Sequence, residues 1–115
     1  MLFAGARFDA ETLLPALDVK LVTSVPNSEG TTTTAMEAMA CGVPVVASSH
    51  PSMDEAAGDA ALRVDPDEPA AIAAAIGEAH KRRDELVAKG LEHVRRFTWR
   101  GAGETFLAGY EAAAR

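Results

Sequence analysis

The stretch from Val19 to Ser48 constrains the fold more than any other part of the chain. Val19-Lys20-Leu21-Val22-Thr23-Ser24-Val25 is a β-rich run ended by Pro26 and Asn27, which is the pattern of a strand entering a loop. From Thr32 to Cys41 the apolar residues Ala35, Met36, Ala38 and Met39 fall at helical spacing, until Gly42-Val43-Pro44 stops the pattern. Pro44-Val45-Val46-Ala47-Ser48 follows at once, and an unbroken apolar run of this length reads as a buried strand. A strand, a helix and a strand in that order form a crossover unit, with the two strands parallel.

The rest of the chain keeps the alternation. Leu2-Phe3-Ala4-Gly5 reads as the end of a buried strand closed by glycine. Leu13, Leu14 and Leu17 belong to a short helix, and because Pro15 is tolerated only in a first turn, Thr12 is its expected N-cap. After Ser48 comes the loop His50-Pro51-Ser52, then a short helix from Met53 to Ala57 with Ser52 as cap and Gly58 at its end. Ala61-Leu62-Arg63-Val64 is one more strand. Asp67-Glu68-Pro69 opens a long alanine-rich helix expected to run to about Lys89, with Ile72, Ile76 and Ala79 on one stripe. The small side chains from Ala70 to Ala75 would let it sit close on a sheet. A segment from Leu91 to Phe97 follows. The last helix, from about Trp99 to Ala114, has Thr98 as its cap and Phe106, Leu107 and Tyr110 on one face.

With 115 residues, 48% of them hydrophobic, the chain can bury one core, so a single domain over residues 1–115 is expected. A net charge of -6 and a pI near 4.9 exclude the concentrated basic face that a nucleic-acid backbone requires. Lys81, Arg82, Arg83, Arg95, Arg96 and Arg100 do cluster, but Glu78, Asp84, Glu85 and Glu92 lie among them, as on a solvated helix face. Cys41 is the single cysteine, so no internal disulfide is possible and a reduced, cytoplasmic setting is expected. No apolar stretch approaches the roughly 20 residues of a transmembrane helix, and the start lacks the pattern of a secretory signal. No Cys/His spacing points to a metal, and no cofactor is expected.

The chemistry concentrates at the turn between the first two strands of the crossover unit. Ligands of open parallel sheets bind beyond the carboxyl ends of the strands, where the helix after this turn begins. Gly30 permits a close backbone approach, and Thr31 to Thr34 would present free amides and hydroxyls at the positive end of that helix, which suits a phosphate. Glu29 and Glu37 frame the turn. As acceptors they suit hydroxyls, Glu29 those of a sugar and Glu37 the vicinal pair of a ribose, with a diphosphate on the amides between them. A structural account competes with this: threonines at a helix start serve as caps, and the helix dipole alone favours a glutamate nearby.

The assembled segment is more specific than its members. Glu37-Ala38-Met39-Ala40-Cys41-Gly42-Val43-Pro44-Val45-Val46-Ala47-Ser48, with Glu29-Gly30 at fixed spacing before it, resembles the signature of the retaining GT-B glycosyltransferases of the group 1 type. The resemblance extends upstream through Leu14-Pro15-Ala16-Leu17 and Asp18-Val19. Downstream it takes in Glu55 to Leu62, Val64-Asp65-Pro66, Phe97-Thr98-Trp99 and Tyr110. It implies an α/β fold, a Rossmann-like parallel sheet with flanking helices, forming part of a GT-B C-terminal, donor-binding domain. In a strand order of 3-2-1-4-5-6 the four expected strands are the third to sixth. The absent pair then leaves an open sheet edge, for which self-association as a homodimer is expected.

The family roles, carried over by position, make Glu29 the candidate catalytic residue at the hydroxyls of the transferred sugar. Gly30 and the amides of Thr31, Thr32 and Thr33 would hold the diphosphate of a nucleotide-sugar donor, Glu37 its ribose, and Arg7 its base. Two departures fall in this pocket: Thr31-Thr32-Thr33-Thr34 replaces the usual Phe-Gly-Leu-Pro, and Pro51-Ser52 stands where many members carry Gly-Gly. The family's acceptor domain, its active-site histidine and the Arg/Lys pair that neutralises the diphosphate would lie upstream of Met1, so donor binding without turnover is expected of these residues. The competing expectation is a non-catalytic α/β module, natural or engineered, that keeps the fold and has lost the ligand. Of the histidines, His80 and His93 are expected to face solvent, and His50 lies in a loop at the ligand edge.

Overall fold

The computed structural model describes residues 1–25 and 32–115. Three short parallel strands form its sheet, β1 (Lys20–Val22), β2 (Val45–Ser48) and β3 (Leu62–Val64), in the order β1-β2-β3. Lys20 pairs with Val45 and Val22 with Ala47 across the first ladder, and Val46 pairs with Leu62 and Ser48 with Val64 across the second. Among the described residues six α-helices accompany the strands: α1 (Ala10–Leu13), α2 (Thr33–Ala40), α3 (Asp54–Ala57), α4 (Pro69–Lys81), α5 (Arg83–Val94) and α6 (Trp99–Ala113). Among the described residues no helix is long and apolar enough to cross a membrane.

Every residue of β2 is buried, because side chains alternate between two faces and helices cover both. Val45 and Ala47 face one layer, where Ala35, Ala38 and Met39 of α2 pack with Val43, Met53 and Ala57. Val46 faces the other, with Val64, Ala75, Ala79 and Leu86. The buried face of α4 therefore consists of Ala75 and Ala79 with Ile72 at its border, while Ile76 is 37% exposed and lies off the expected stripe. Helix α5 reaches both layers, sending Leu86 into one core cluster and laying Gly90 on Met39 of the other.

The end of α2 follows from its sequence. Gly42 has φ +71°; its amide donates to Met39 O at 3.0 Å and that of Val43 to Ala38 O at 3.0 Å. These paired bonds satisfy the last carbonyls of the helix and turn the chain back into β2, and the left-handed position between them favours glycine. At the other end of the chain Thr98 caps α6 as expected, its Oγ1 accepting from the Gly101 amide at 3.0 Å.

Four expectations about elements fail. Leu2-Phe3-Ala4 is no strand, and Leu2 and Phe3 are 93% and 86% exposed. A lone apolar tripeptide gains nothing from extension unless a neighbour takes its amides, and the described sheet has three strands rather than four. The cap of α1 is at Asp9, not Thr12, and Pro15 opens a separate 3₁₀ turn, Leu14–Ala16, where its missing amide costs nothing. The long helix from Pro69 is two helices that meet at Arg82, whose backbone leaves the helical region at φ -100° and ψ 24°. The corner is held by side chains: Arg82 donates to Glu85 at 2.8 and 2.7 Å, and Lys89 reaches Glu85 at 2.8 Å. Arg82, with Lys89 behind it, holds the Glu85 carboxyl down at about 2.

Candidate functional site

Because β1, α2 and β2 form a parallel crossover unit, α2 begins at the carboxyl edge of the sheet and runs back antiparallel to the strands. The first amides of such a helix have no acceptor within it and carry its positive dipole end. Thr32 is the N-cap residue, extended at φ -91° and ψ 102° and almost fully buried, and its side chain makes no cap hydrogen bond. Thr33 and Thr34 are exposed. Glu37 is also exposed, one full turn into the helix and outside its first turn. A helix dipole acts within the terminal turn, so it accounts for little of a carboxylate at this position. Beyond the helix-end bond from the Cys41 amide to its carbonyl at 3.1 Å, Glu37 makes no hydrogen bond or ion pair through its side chain among the described residues, and its carboxylate is open to a ligand.

The chain leaving β1 is tied to the end of β2. Ser48 is fully buried, and its hydroxyl reaches Ser24 O at 2.6 Å and Val22 O at 3.3 Å. From β3, Arg63 spans the same edge: Nε donates to Ser48 O at 2.7 Å, while Nη2 donates to His50 O at 2.9 Å and Asp54 Oδ1 at 2.9 Å. One guanidinium thereby fixes the direction in which the chain leaves β2. A 3₁₀ turn, Pro51–Met53, follows, and its cap is His50 rather than the expected Ser52. The Ser52 amide donates to His50 Nδ1 at 3.2 Å, and Ser52 Oγ lies 2.9 Å from the same nitrogen. Ser52 sits inside the turn, with Pro51 ahead of it at a position where an amide is not needed.

The candidate residues separate into three groups. Thr32, Thr33 and Glu37 lie together on the first turns of α2. Glu29, Gly30 and Thr31, which precede them, lie outside the described residues. Arg7 is in the exposed segment before α1, with its guanidinium fork occupied by Asp9 at 2.8 and 2.6 Å, a pairing that lowers the Asp9 carboxyl below its usual range. No hydrogen bond or ion pair among the described residues joins Arg7 to α2. His80 is exposed, but His93 is buried, contrary to expectation. Its Nε2 is 3.1 Å from Glu55 O, its Nδ1 2.8 Å from Arg96 Nη2, and its ring meets that of Phe97 at 5.3 Å. With a partner at each nitrogen and a ring against its face, an imidazole is buried at little cost. Sequence reasoning also missed Ser24, Ser48 and Arg63. The signal was a polar residue closing an apolar strand and an arginine inside another.

The model of one protein family, glycosyl transferases group 1, matches residues 1–82, well over half of the chain. The chain belongs to this family. Among proteins of known name, it is 37% identical over 79 residues to the O-antigen chain mannosyltransferase B of Escherichia coli, covering 66% of this chain and 21% of that protein. It is 38% identical over 101 residues to a D-inositol 3-phosphate glycosyltransferase of Geodermatophilus obscurus, covering 86% and 22%. A D-inositol 3-phosphate glycosyltransferase of Acidothermus cellulolyticus is 39% identical over 97 residues, covering 80% and 22%. The chain thus spans about a fifth of the length of these glycosyltransferases. Within this group 1 chain the family match takes in β1 to β3 and α4, and with them Arg7, Thr32, Thr33, Glu37, His50 and Arg63; it ends at Arg82, where the helix breaks.

Proposed function

We propose that the chain provides the nucleotide-sugar donor site of a retaining GT-B glycosyltransferase and needs residues from outside it for turnover. The observation that carries this reading is the exposed Glu37 carboxylate, one turn behind the N-terminus of α2 at the carboxyl edge of a parallel sheet. A carboxylate accepts two hydrogen bonds from vicinal hydroxyls, and a helix N-terminus receives phosphate oxygens. In this proposal Glu37 takes the ribose, the backbone from Gly30 to Thr33 the diphosphate, Glu29 the transferred sugar and Arg7 the base. Transfer further needs an acceptor held against the donor and compensation for the charge of the leaving diphosphate, which the proposal assigns to the rest of a longer enzyme.

Titration of the purified chain with nucleoside diphosphates and nucleotide sugars tests the reading. Saturable binding is expected, weakened about tenfold by Glu37→Ala, the loss that follows from removing a charged acceptor of two hydroxyls, with no sugar transfer to any acceptor. Absence of binding at millimolar ligand would leave the non-catalytic module, and turnover by the isolated chain would end the division of labour proposed here.

Self-association is part of the same proposal. The outer edge of β1 has no neighbouring strand among the described residues, and Leu21 on that strand is 40% exposed. An unpaired edge flanked by apolar side chains is a template for a second copy. Sedimentation at micromolar concentration is expected to give a dimer, and a clean monomer would discard it.

A further inference from the structure

The proton position on His50 is fixed by its surroundings. A backbone amide can only donate, so the 3.2 Å contact from the Ser52 amide makes Nδ1 the acceptor, and the Ser52 hydroxyl at 2.9 Å donates to the same lone pair. The neutral ring therefore carries its proton on Nε2, on the side away from Ser52. No other hydrogen bond to the ring is made among the described residues, so Nε2–H is an unspent donor. The residue is also held from behind. Arg63, itself mostly buried, grips the carbonyls of Ser48 and His50 together, and this fixes the backbone from which the imidazole projects. Ser48 is in turn bonded to Ser24 O, so this clamp and the start of the loop that leads to α2 belong to one connected edge.

We propose that His50 is a ligand-binding residue of this edge, donating a hydrogen bond from Nε2 to an oxygen of the bound donor, and that Arg63 positions it. The inference rests on the donor-site reading above. A turn of three residues can be capped by serine or aspartate at lower cost in buried ring surface. Histidine in that place adds a second ring nitrogen, set apart from the capping one and of fixed donor character, on a residue that is only half-buried. A donor of this kind pairs with a phosphate oxygen or with a sugar hydroxyl, both of which a nucleotide sugar offers.

The test uses the whole chain, with UDP-sugar, GDP-sugar and inorganic pyrophosphate as probes, followed by imidazole nitrogen NMR and by binding titration. The free protein is expected to show His50 protonated at Nε2 alone, and the Nε2–H resonance to move on saturation. Movement with pyrophosphate identifies a phosphate oxygen as the acceptor; movement with nucleotide sugars only identifies a hydroxyl. His50→Asn keeps an acceptor for the Ser52 amide, so the fold is retained, yet it withdraws the long-reaching donor. Affinity is expected to fall about fivefold, with the thermal midpoint nearly unchanged. If Glu37→Ala weakens binding while His50→Asn leaves affinity and the His50 resonances stay still, the role of His50 is overturned and the donor site stands. If the unaltered chain binds none of the probes, the donor-site reading and this inference both fall.

Discussion

Gly58→Ala is expected to lower the stability of the fold by about 3 kcal/mol, from backbone strain and a side-chain collision together. Gly58 ends α3 at φ +48° and ψ -140°, a combination that residues bearing a Cβ adopt at a cost. A Cβ there would stand 2.8 Å from His93 Cε1 and 3.2 Å from Nδ1. That ring cannot swing away freely, because Glu55 O and Arg96 hold its two nitrogens and Phe97 lies against it. The substitution therefore loosens the contact by which α5 grips the segment after β2. Urea denaturation measures the loss as a lower midpoint at constant slope, and a change within about 0.5 kcal/mol of the parent, the usual scatter of a neutral surface change, would contradict it.

The second large effect is expected at Met39. It is 1% exposed and packs in the core cluster of α2 beneath Gly90 of α5. Met39→Ala should cost about 3 kcal/mol, the transfer term of the lost side chain plus the cavity it leaves. The same contact gives the prediction a further test. In the parent a Cβ on Gly90 would meet Met39 Cγ at 3.0 Å and Cβ at 3.2 Å, so Gly90→Ala is destabilising despite the better helix propensity of alanine. In the Met39→Ala background the contact with Cγ is gone while that with Cβ at 3.2 Å remains, so Gly90→Ala should cost clearly less than in the parent. Equal effects in the two backgrounds would show that the helices do not meet as described.

The sequence made the crossover unit legible because each of its cues is local. The apolar run of β2, the periodicity of α2 and the Gly42-Val43-Pro44 stop all act within a few residues of where they stand. What stayed hidden was decided at a distance. Nothing between Glu78 and Glu85 forbids a continuous helix, and the break at Arg82 arises because α4 packs on β2 and β3 while α5 packs on α2. Leu2-Phe3-Ala4 has strand composition but no neighbour to pair with. His93 stands among charges in the sequence, and while Arg96 reaches Nδ1 from three residues on, only the fold brings Glu55 O to Nε2. In the candidate site, Glu37 was legible from a motif, and the fold adds that it is exposed on α2. The tautomer of His50 needed Ser52 to be seen folded back on it, and the bridging role of Arg63 needed two strands in register.

Helix α6 buries none of its residues; Trp99, Phe106, Leu107 and Tyr110 stand out at 95%, 69%, 59% and 73% exposure. Its melting therefore removes only its own backbone bonds and the Thr98 cap, a few kcal/mol at most for an isolated helix of about this length. The cooperative unit of the described fold is therefore expected to end near Phe97, and the amides of the last fifteen-residue helix to exchange with solvent by local fraying, without waiting for the sheet to open.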